Sequence, residues 1–287
     1  MNKIKLNGNT YLLPARWNDI TDSRQFIAAA VALYEFETGV TSFDELRIAL
    51  TIAFLGIHPS KIRQSETLAE NLFRISELLD FPYKVVEHED GIRTAVITIS
   101  LKQNLLPELG GVPGYRYQTD SAEVVDTSVT AEQYIEALSL MQLYRQMLNN
   151  GKDITPSLDN LVQTFYPGAT GVSREEKIAL FYNWRGIMAT ISKDPDYDLI
   201  FNGTHSENYT PSPVGPQAAL FSLSKAGYGN IEQIRRLDIH TYLSALVHQT
   251  IDSIRALASS GMKTGEIASR LNLSIEQVAP YITHKHI

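Results

Sequence analysis

The sequence predicts a mainly α protein, a helical bundle with small β-hairpins near the N-terminus and at about residues 83–100, and a helix-turn-helix-like module at the C-terminus. Three observations predict this class. Long stretches place apolar residues at the 3.6-residue spacing of amphipathic helices. Two β-rich segments surround Asn7-Gly8 and Asp90-Gly91, dipeptides that favour tight hairpin turns. The last stretch, GEIASRLNLSIEQVAPYITHKHI, combines helix-start signals with regularly spaced apolar residues.

Three helices are predicted after the first hairpin. The first begins at Asp22 or Ser23, either of which can cap it, and ends at Gly39. The second begins at Ser42, and Glu45 three residues later completes a capping box. The third covers PSKIRQSETLAENLFRISELLDF, in which leucine and isoleucine recur at helical spacing.

The middle of the chain changes character at Pro82. A hairpin is predicted in YKVVEHEDGIRTAVITIS, and the following stretch, LLPELGGVPGYRYQTDSAEVVDTSV, is rich in glycine and proline. Such a composition predicts a long surface loop. Helices resume at TAEQYIEALSLMQLYRQMLNNG and recur up to SREEKIALFYNWRGIMATIS, in which we expect Phe181, Tyr182 and Trp184 to belong to the core.

The predicted domain organisation has three parts. Residues 1–192 form a mainly helical domain with a β-hairpin insert, and residues 193–216, rich in Pro, Gly, Asn and Ser, form a linker. Residues 217–287 form a helical region that includes the helix-turn-helix-like segment 262–287. Within it, a long helix is predicted from Asp238 to about Ser259, whose apolar stripe is interpreted as a core face, with a partner-binding face as the alternative.

The composition of the chain excludes several classes of function and makes others less favoured. The 287-residue chain carries a formal net charge of −7, whereas dedicated nucleic-acid binders usually present a basic domain or stripe. It contains no cysteine, which excludes disulfides and thiol catalysis. No apolar run approaches the roughly 20 residues of a membrane span, and the first residues lack the apolar core of a signal peptide. The prediction is a cytoplasmic protein without a membrane partner.

No motif with a catalytic mechanism is present. The aspartates of DPDYD imitate the start of a calcium loop, but Leu199 and His205 occupy the positions that require glycine and glutamate. The seven histidines are scattered, and the glycine-rich GGVPG stretch lacks the strand and helix that flank a phosphate-binding loop. We therefore predict no catalytic residue, no cofactor and no metal site, and a protein that is not an enzyme.

The C-terminal segment meets the structural demands of two crossed helices. A mini-core is predicted from apolar residues on both helices and the turn, and Ser274 can cap the second helix with Gln277 three residues later. The stretch EIASRLNLS resembles the corresponding segment of response-regulator and sigma-factor helix-turn-helix modules. The predicted mini-core residues are Ile267, Ala268, Leu271, Leu273, Val278 and Ile282.

The face that would enter a DNA groove matches less well. Ile275 has no polar group, Glu276 has the wrong charge for phosphates, and Pro280 disrupts a regular helix at a cost of about 3 kcal/mol. Protein contact is therefore the first interpretation and DNA binding by a transcriptional regulator the alternative. The residues predicted to contact DNA or a protein partner are Ser274, Gln277, Tyr281 and Lys285.

Several segments, in order, carry a resemblance to a known family. WNDITDSRQFIAAAVALYEF opens with Trp17, Ile20 and Thr21, and ALFSLSKAGYGNIEQIRRLDIHTYLSAL comes late in the chain. Together with YIEALSLMQLYRQ and KIALFYNWRGIMATI between them, they resemble the tail-assembly proteins, often called tail assembly chaperones, of phages and prophages from Bacteroidetes-type hosts.

This resemblance implies a non-enzymatic role in building a phage-type particle. The expected partners are other phage tail or assembly proteins, and a homo-oligomer is compatible with such a role. The expected location is then the bacterial cytoplasm, with incorporation into the phage particle as the alternative.

Overall fold

The computed structural model describes residues 1–6, 8–57, 66–87, 93–120, 124–201 and 216–282. The predicted turn residues Asn7 and Asp90-Gly91 lie outside these ranges, as does the predicted contact residue Lys285. Within them the protein is mainly α with small hairpins, as the sequence predicts.

Twelve α-helices occur in the described ranges, and the strands form two-stranded sheets that pair β1 with β2, β3 with β4, β5 with β6 and β7 with β8. The helices are Ser23–Glu37 (α1), Phe43–Leu55 (α2), Glu66–Ser76 (α3), Ala131–Asn149 (α4), Leu158–Phe165 (α5), Arg174–Ile191 (α6), Asp198–Phe201 (α7), Pro216–Lys225 (α8), Ile231–Arg235 (α9), Ile239–Ser259 (α10), Thr264–Leu271 (α11) and Ile275–Val278 (α12). The strands are Asn2–Leu6 (β1), Asn9–Leu13 (β2), Tyr83–Glu87 (β3), Arg93–Ile97 (β4), Glu108–Leu109 (β5), Val112–Pro113 (β6), Tyr117–Thr119 (β7) and Val125–Thr127 (β8).

The chain forms two compact units. One comprises Met1–Asp126 and Leu140–Ala189, and the other comprises Thr127–Ser139 and Thr190–Ile287. Within the predicted linker, residues 195–201 form a 3-10 helix followed by α7, and residues 202–215 lie outside the described ranges. The boundaries 1–192, 193–216 and 217–287 stay predictions.

Helix ends in the first unit follow the predicted capping chemistry. Asp22 caps α1 by accepting a hydrogen bond from the Arg24 backbone N–H at 2.8 Å. Ser42 and Glu45 form the predicted capping box on α2, in which the Ser42 N–H donates to the Glu45 carboxylate at 2.7 Å. Gly39 follows α1 with φ +74°, a left-handed conformation that glycine adopts without strain.

Aromatic side chains form much of the core of this unit. The Trp17 ring makes edge contacts with Phe54 and Phe81, with ring centroids 6.0 and 5.4 Å apart. Phe181, Tyr182 and Trp184 on α6 are buried, which confirms the prediction that they belong to the core. Edge-to-face pairs of this kind stabilise a core by about 1 kcal/mol beyond their buried area.

The prediction of a surface loop at residues 105–129 is partly wrong, because in its first half apolar side chains are buried while the prolines and two of the three glycines are exposed. Leu105, Leu106 and Tyr115 are buried, although the segment has little regular secondary structure. A buried backbone needs partners for its polar groups, and two asparagines supply them. The Asn183 side chain accepts from the Leu105 N–H at 3.0 Å, and Asn104 accepts from the Leu106 N–H at 2.9 Å.

In the second unit, the long helix is found where it is predicted. Asp238 caps α10, whose side chains Ile239, Tyr242, Leu243 and Ile254 are buried. The interpretation of this stripe as a core face is therefore confirmed at these positions. Further along the same stripe, Val247, Ile251 and Leu257 are partly buried against the cluster that holds α11 and α12.

Candidate functional site

The C-terminal helical pair, α11 with α12, is the first candidate surface. Asn272 follows α11 with φ +56°, and the chain turns there into α12, which Ser274 caps. Asn tolerates this left-handed conformation better than most residues because its short polar side chain bonds locally. Among the described residues it is the one non-glycine position with positive φ.

Pro280 determines the length of α12. The α-helix ends at Val278 and continues as a 3-10 helix, Ala279–Tyr281, with the proline in its first turn. A proline lacks an N–H and fits the first turn of a helix, where that N–H would have no intrahelical partner. The predicted conflict between Pro280 and a regular second helix is therefore resolved by shortening the α-helix.

The predicted mini-core is present. Ile267 and Ala268 of α11, Leu273 of the turn and Val278 of α12 are buried in one cluster with Ile254 of α10. The remaining two predicted members, Leu271 and Ile282, are partly buried against the same cluster. These contacts fix the two helices against each other and against α10.

Ser274 and Gln277, two of the predicted contact residues, form hydrogen bonds within the protein. The Ser274 hydroxyl accepts from the Gln277 N–H at 3.2 Å, and the Gln277 carbonyl accepts from the Ser274 N–H at 2.9 Å. The Gln277 amide also donates to the Asp198 carboxylate at 2.8 Å and to its backbone carbonyl at 2.9 Å. Tyr281 is partly buried against the cluster, so these three side chains support the fold of the pair.

The outer face of α12, which we define as Ile275 and Glu276 together with Ala279 and Pro280 of the following 3-10 turn, is exposed, as are Glu266, Ser269 and Arg270 of α11. Ile275 has 55% of its surface exposed. Hydrogen bonds from the Glu276 backbone N–H and from Ser274 lower the pKa of the Glu276 carboxyl, so this side chain carries a full negative charge at neutral pH. The outer face is thus apolar with one carboxylate.

A second surface lies in the other unit, on the ribbon formed by β3 and β4. The strands pair antiparallel, with Tyr83 opposite Ile97 and Val85 opposite Ala95. Tyr83 and Ile97 at the base are buried, whereas Val85 and Val96 further out are 52% and 50% exposed. Val86 is exposed as well, so both faces of the ribbon present apolar side chains to solvent.

Aromatic contacts hold the base of the ribbon. The Tyr83 ring lies edge-on to Phe43, with centroids 4.7 Å apart, and its hydroxyl donates to the Leu79 carbonyl at 2.6 Å. The Arg47 guanidinium lies 5.8 Å from the ring centres of both Phe43 and Phe73. Burial raises the pKa of Tyr83. The base is thereby fixed while the outer residues remain exposed.

Sequence reasoning missed the role of Asp198 and the exposure of the ribbon. Asp198 is distant in sequence from Gln277, and no local pattern pairs them. The exposure of the ribbon is indicated by the sequence, because Val85 and Val86 are adjacent and adjacent residues of a strand point to opposite faces. An apolar residue on each face of a two-stranded ribbon predicts that one of them stays uncovered.

The described residues also contain open clefts in the second unit. One of about 430 Å³ is lined by Tyr228, Gln249 and Asp252, and another of about 330 Å³ by Glu132, Glu136 and Arg235, among others. Glu132 and Arg235 are ion-paired at 3.8 Å. No group of three or more His, Asp or Glu side chains in the described ranges could hold a metal ion.

None of the helices in the described ranges has the length and apolarity to cross a membrane. Comparisons of the chain with protein-family models, with curated proteins and with solved structures found no match.

Proposed function

We propose that this protein is a non-enzymatic assembly factor of the phage or prophage tail-assembly type, which acts by protein–protein contact. The C-terminal pair is then a helix-turn-helix-like shape that contacts a protein through the outer face of α12. The observation that carries the proposal is the exposure of Ile275 beside Glu276, Ala279 and Pro280. The resemblance to tail-assembly proteins supports the choice of partner.

The charge of this face favours a protein partner over DNA. Binding to duplex DNA depends on lysine and arginine side chains that neutralise phosphates. The outer face of α12 contributes one carboxylate and no cation. A carboxylate at that place repels phosphate, whereas an exposed isoleucine offers apolar area that a protein partner can bury. DNA binding remains the alternative that the experiment must separate.

The proposal predicts that genes adjacent to the gene of this chain encode tail proteins, and it is tested by binding to those proteins. Substituting Ile275→Asp should weaken that binding by about 10-fold or more, because it places a second charge where an apolar contact is buried. The helix should persist, since aspartate is favourable in a first helical turn. Val40→Asp is the matched control, because Val40 is also exposed, at 71%, and lies in the other unit.

Two results would contradict the proposal. One is wild-type protein that binds none of the neighbouring tail proteins in calorimetry or co-elution. The other is a shift of duplex DNA at about 50 mM salt that Ile275→Asp abolishes and that weakens steeply with added salt. That second result would establish the DNA alternative.

A further inference from the structure

In the described ranges β3 pairs with β4 alone, so the backbone groups on its outer edge have no partner strand there. The Thr98 N–H donates to the Pro82 carbonyl at 2.9 Å, and this bond shows which residues of β3 point their backbone groups toward β4. Because bonded and non-bonded pairs alternate in an antiparallel pair, Lys84 and Val86 bond to β4, and the backbone N–H and C=O of Val85 point away from it.

This edge is accessible, and the charged side chains of Lys84 and Glu87 are the only features on β3 that usually block strand pairing. Four consecutive residues of β3, Lys84 to Glu87, are exposed, and on β4 Thr94 and Val96 are exposed while Ala95 is half-buried. The strand contains no proline, and its five-residue register with β4 has no bulge. Two-stranded ribbons are marginally stable in water and gain from additional strands.

We propose that β3 pairs antiparallel with β3 of a second copy of this chain, about a two-fold axis at Val85. The product is a continuous four-stranded sheet in the order β4, β3, β3, β4. The Val85 N–H of each copy donates to the Val85 carbonyl of the other. The inference concerns the isolated chain and does not depend on the proposed tail-assembly function.

Charge and apolar contact together select this register among the two-fold alternatives. A two-fold axis places one residue opposite itself, and an axis at Lys84 or Glu87 would oppose like charges, which is destabilising. An axis at Val86 would oppose Val86 to itself but each Val85 to the carboxylate of Glu87, which leaves Val85 without an apolar partner. An axis at Val85 opposes valine to valine and Tyr83 to Glu87. It also opposes Lys84 to Val86, so the aliphatic stem of the lysine covers the second valine while its ammonium reaches water.

Sedimentation equilibrium of the full chain tests the proposal. The wild type should dimerise reversibly. Val85→Pro should weaken the dimer by about 10-fold or more, because it removes an N–H that the ladder with β4 does not use. Val85→Thr is the matched control: it keeps the N–H and β-branching, and it should remain dimeric. Unchanged circular dichroism would show that the proline variant is folded.

Cross-linking tests the register independently. The chain has no cysteine, so a single Val85→Cys substitution introduces a unique thiol. Residues opposite each other in a bonded antiparallel pair have Cα atoms about 5.5 Å apart, so a short bismaleimide should give a covalent dimer. Val40→Cys, at a position outside the ribbon that is more exposed than Val85, should not.

Three outcomes would overturn the inference: a wild type that stays monomeric at every concentration, a Val85→Pro variant that dimerises as tightly as the wild type, or Val40→Cys cross-linking as efficiently as Val85→Cys. Each leaves the proposed contact of Ile275 with tail proteins to its own test.

Discussion

At the scale of single residues, Gly114 lies where no side chain fits. A Cβ atom there would be 2.2 Å from Cε1 and 2.6 Å from Cζ of the Tyr166 ring. Tyr166 is fully buried, and its hydroxyl donates to the Leu106 carbonyl. The ring therefore has little room to move away. The sequence alone predicts an ordinary loop residue at this position. The close contact could not be predicted, because the tyrosine that makes it lies far along the chain.

Gly114→Ala should accordingly destabilise the protein by about 3 kcal/mol, the upper part of the range for overpacked cores. Urea unfolding followed by tryptophan fluorescence measures the change. Gly265→Ala is the control, since its Cβ would meet nothing within 4 Å in the first turn of α11, and alanine favours a helix by up to about 1 kcal/mol. Equal stability of the two variants would refute the predicted clash.

Asn183 shows why the buried segment after Asn104 escaped prediction. Its fully buried amide accepts from the Leu105 N–H and donates to Asn104 at 2.8 Å and to the Tyr115 hydroxyl at 2.7 Å. Composition marked this segment as surface, because glycine and proline usually indicate loops that need water. Here the Asn183 side chain, from a helix distant in sequence, makes the hydrogen bonds that water would otherwise make. No local sequence pattern predicts this contact.

Asn183→Ala should cost about 3 kcal/mol, because it leaves the Leu105 N–H unsatisfied. Asn183→Asp should be pH-dependent. Burial would raise the pKa of the introduced carboxyl, so the stability lost relative to the wild type should be smallest below about pH 4 and grow as pH rises. Unfolding of the wild type and both variants at about pH 4 and pH 7 measures this. An Asn183→Asp variant that loses less stability relative to the wild type at pH 7 than at pH 4 would contradict the assigned hydrogen-bond network.

At the scale of elements, helix starts were the most predictable features, because each depends on a few neighbouring residues. The capping boxes at Ser42 and Ser274 and the cap of α10 at Asp238 follow from local sequence. The length of α12 is also local, since Pro280 ends it. The exposure of the β3–β4 ribbon is less predictable than a helix start, because it depends on which elements distant in sequence cover the ribbon.

Asp238 provides a pH test of this local chemistry. Its carboxylate accepts from the backbone N–H groups of His240 and Thr241, both at 3.0 Å. Burial raises the pKa of Asp238, but the Thr241 and His240 donors outweigh burial, and the pKa lies below its usual 3.8. The cap therefore stabilises α10 fully above that value and loses its effect as pH falls through the lower, folded-state pKa.

Asp238→Ala should lower the free energy of unfolding by about 1–2 kcal/mol at neutral pH, and by less at about pH 3. Asn also caps helices but does not titrate, so Asp238→Asn should stay close to the wild type at neutral pH and lack this part of the acid sensitivity. Thermal unfolding at both pH values is the measurement. An alanine variant with an undiminished effect in acid would show that the carboxylate is not the stabilising group.

At the scale of the whole molecule, the sequence establishes the class and the larger elements, while two compact units and their cores depend on contacts distant in sequence. Buried tyrosines illustrate this dependence. The Tyr34 hydroxyl donates to Asp153 at 2.7 Å, and the Tyr182 hydroxyl donates to Glu37 at 2.6 Å. Neither pair is close in sequence, so periodicity could place these tyrosines on an apolar face without identifying the acceptors.

These tyrosines predict alkaline unfolding. Burial, and then the hydrogen bond to Asp153, raises the pKa of Tyr34 to about 12, and burial raises the pKa values of Tyr115, Tyr166 and Tyr182 as well. In the unfolded chain they ionise near pH 10, so their contribution to stability is complete below pH 10 and is lost as pH rises. Each contributes up to about 1.4 kcal/mol per pH unit over the interval between its two pKa values.

The expected result is a cooperative transition above pH 10, in which tyrosinate absorbance and loss of near-ultraviolet circular dichroism rise together. Tyr34→Phe should cost about 1 kcal/mol at neutral pH, because it removes one hydrogen bond, and should reduce the pH dependence between about pH 10 and 12. Ionisation of all 14 tyrosines near pH 10 with the native signal retained would show that these side chains are accessible. The aromatic core described for the first unit would then be wrong, because a phenol inside it cannot ionise at its ordinary pKa without unfolding the chain around it.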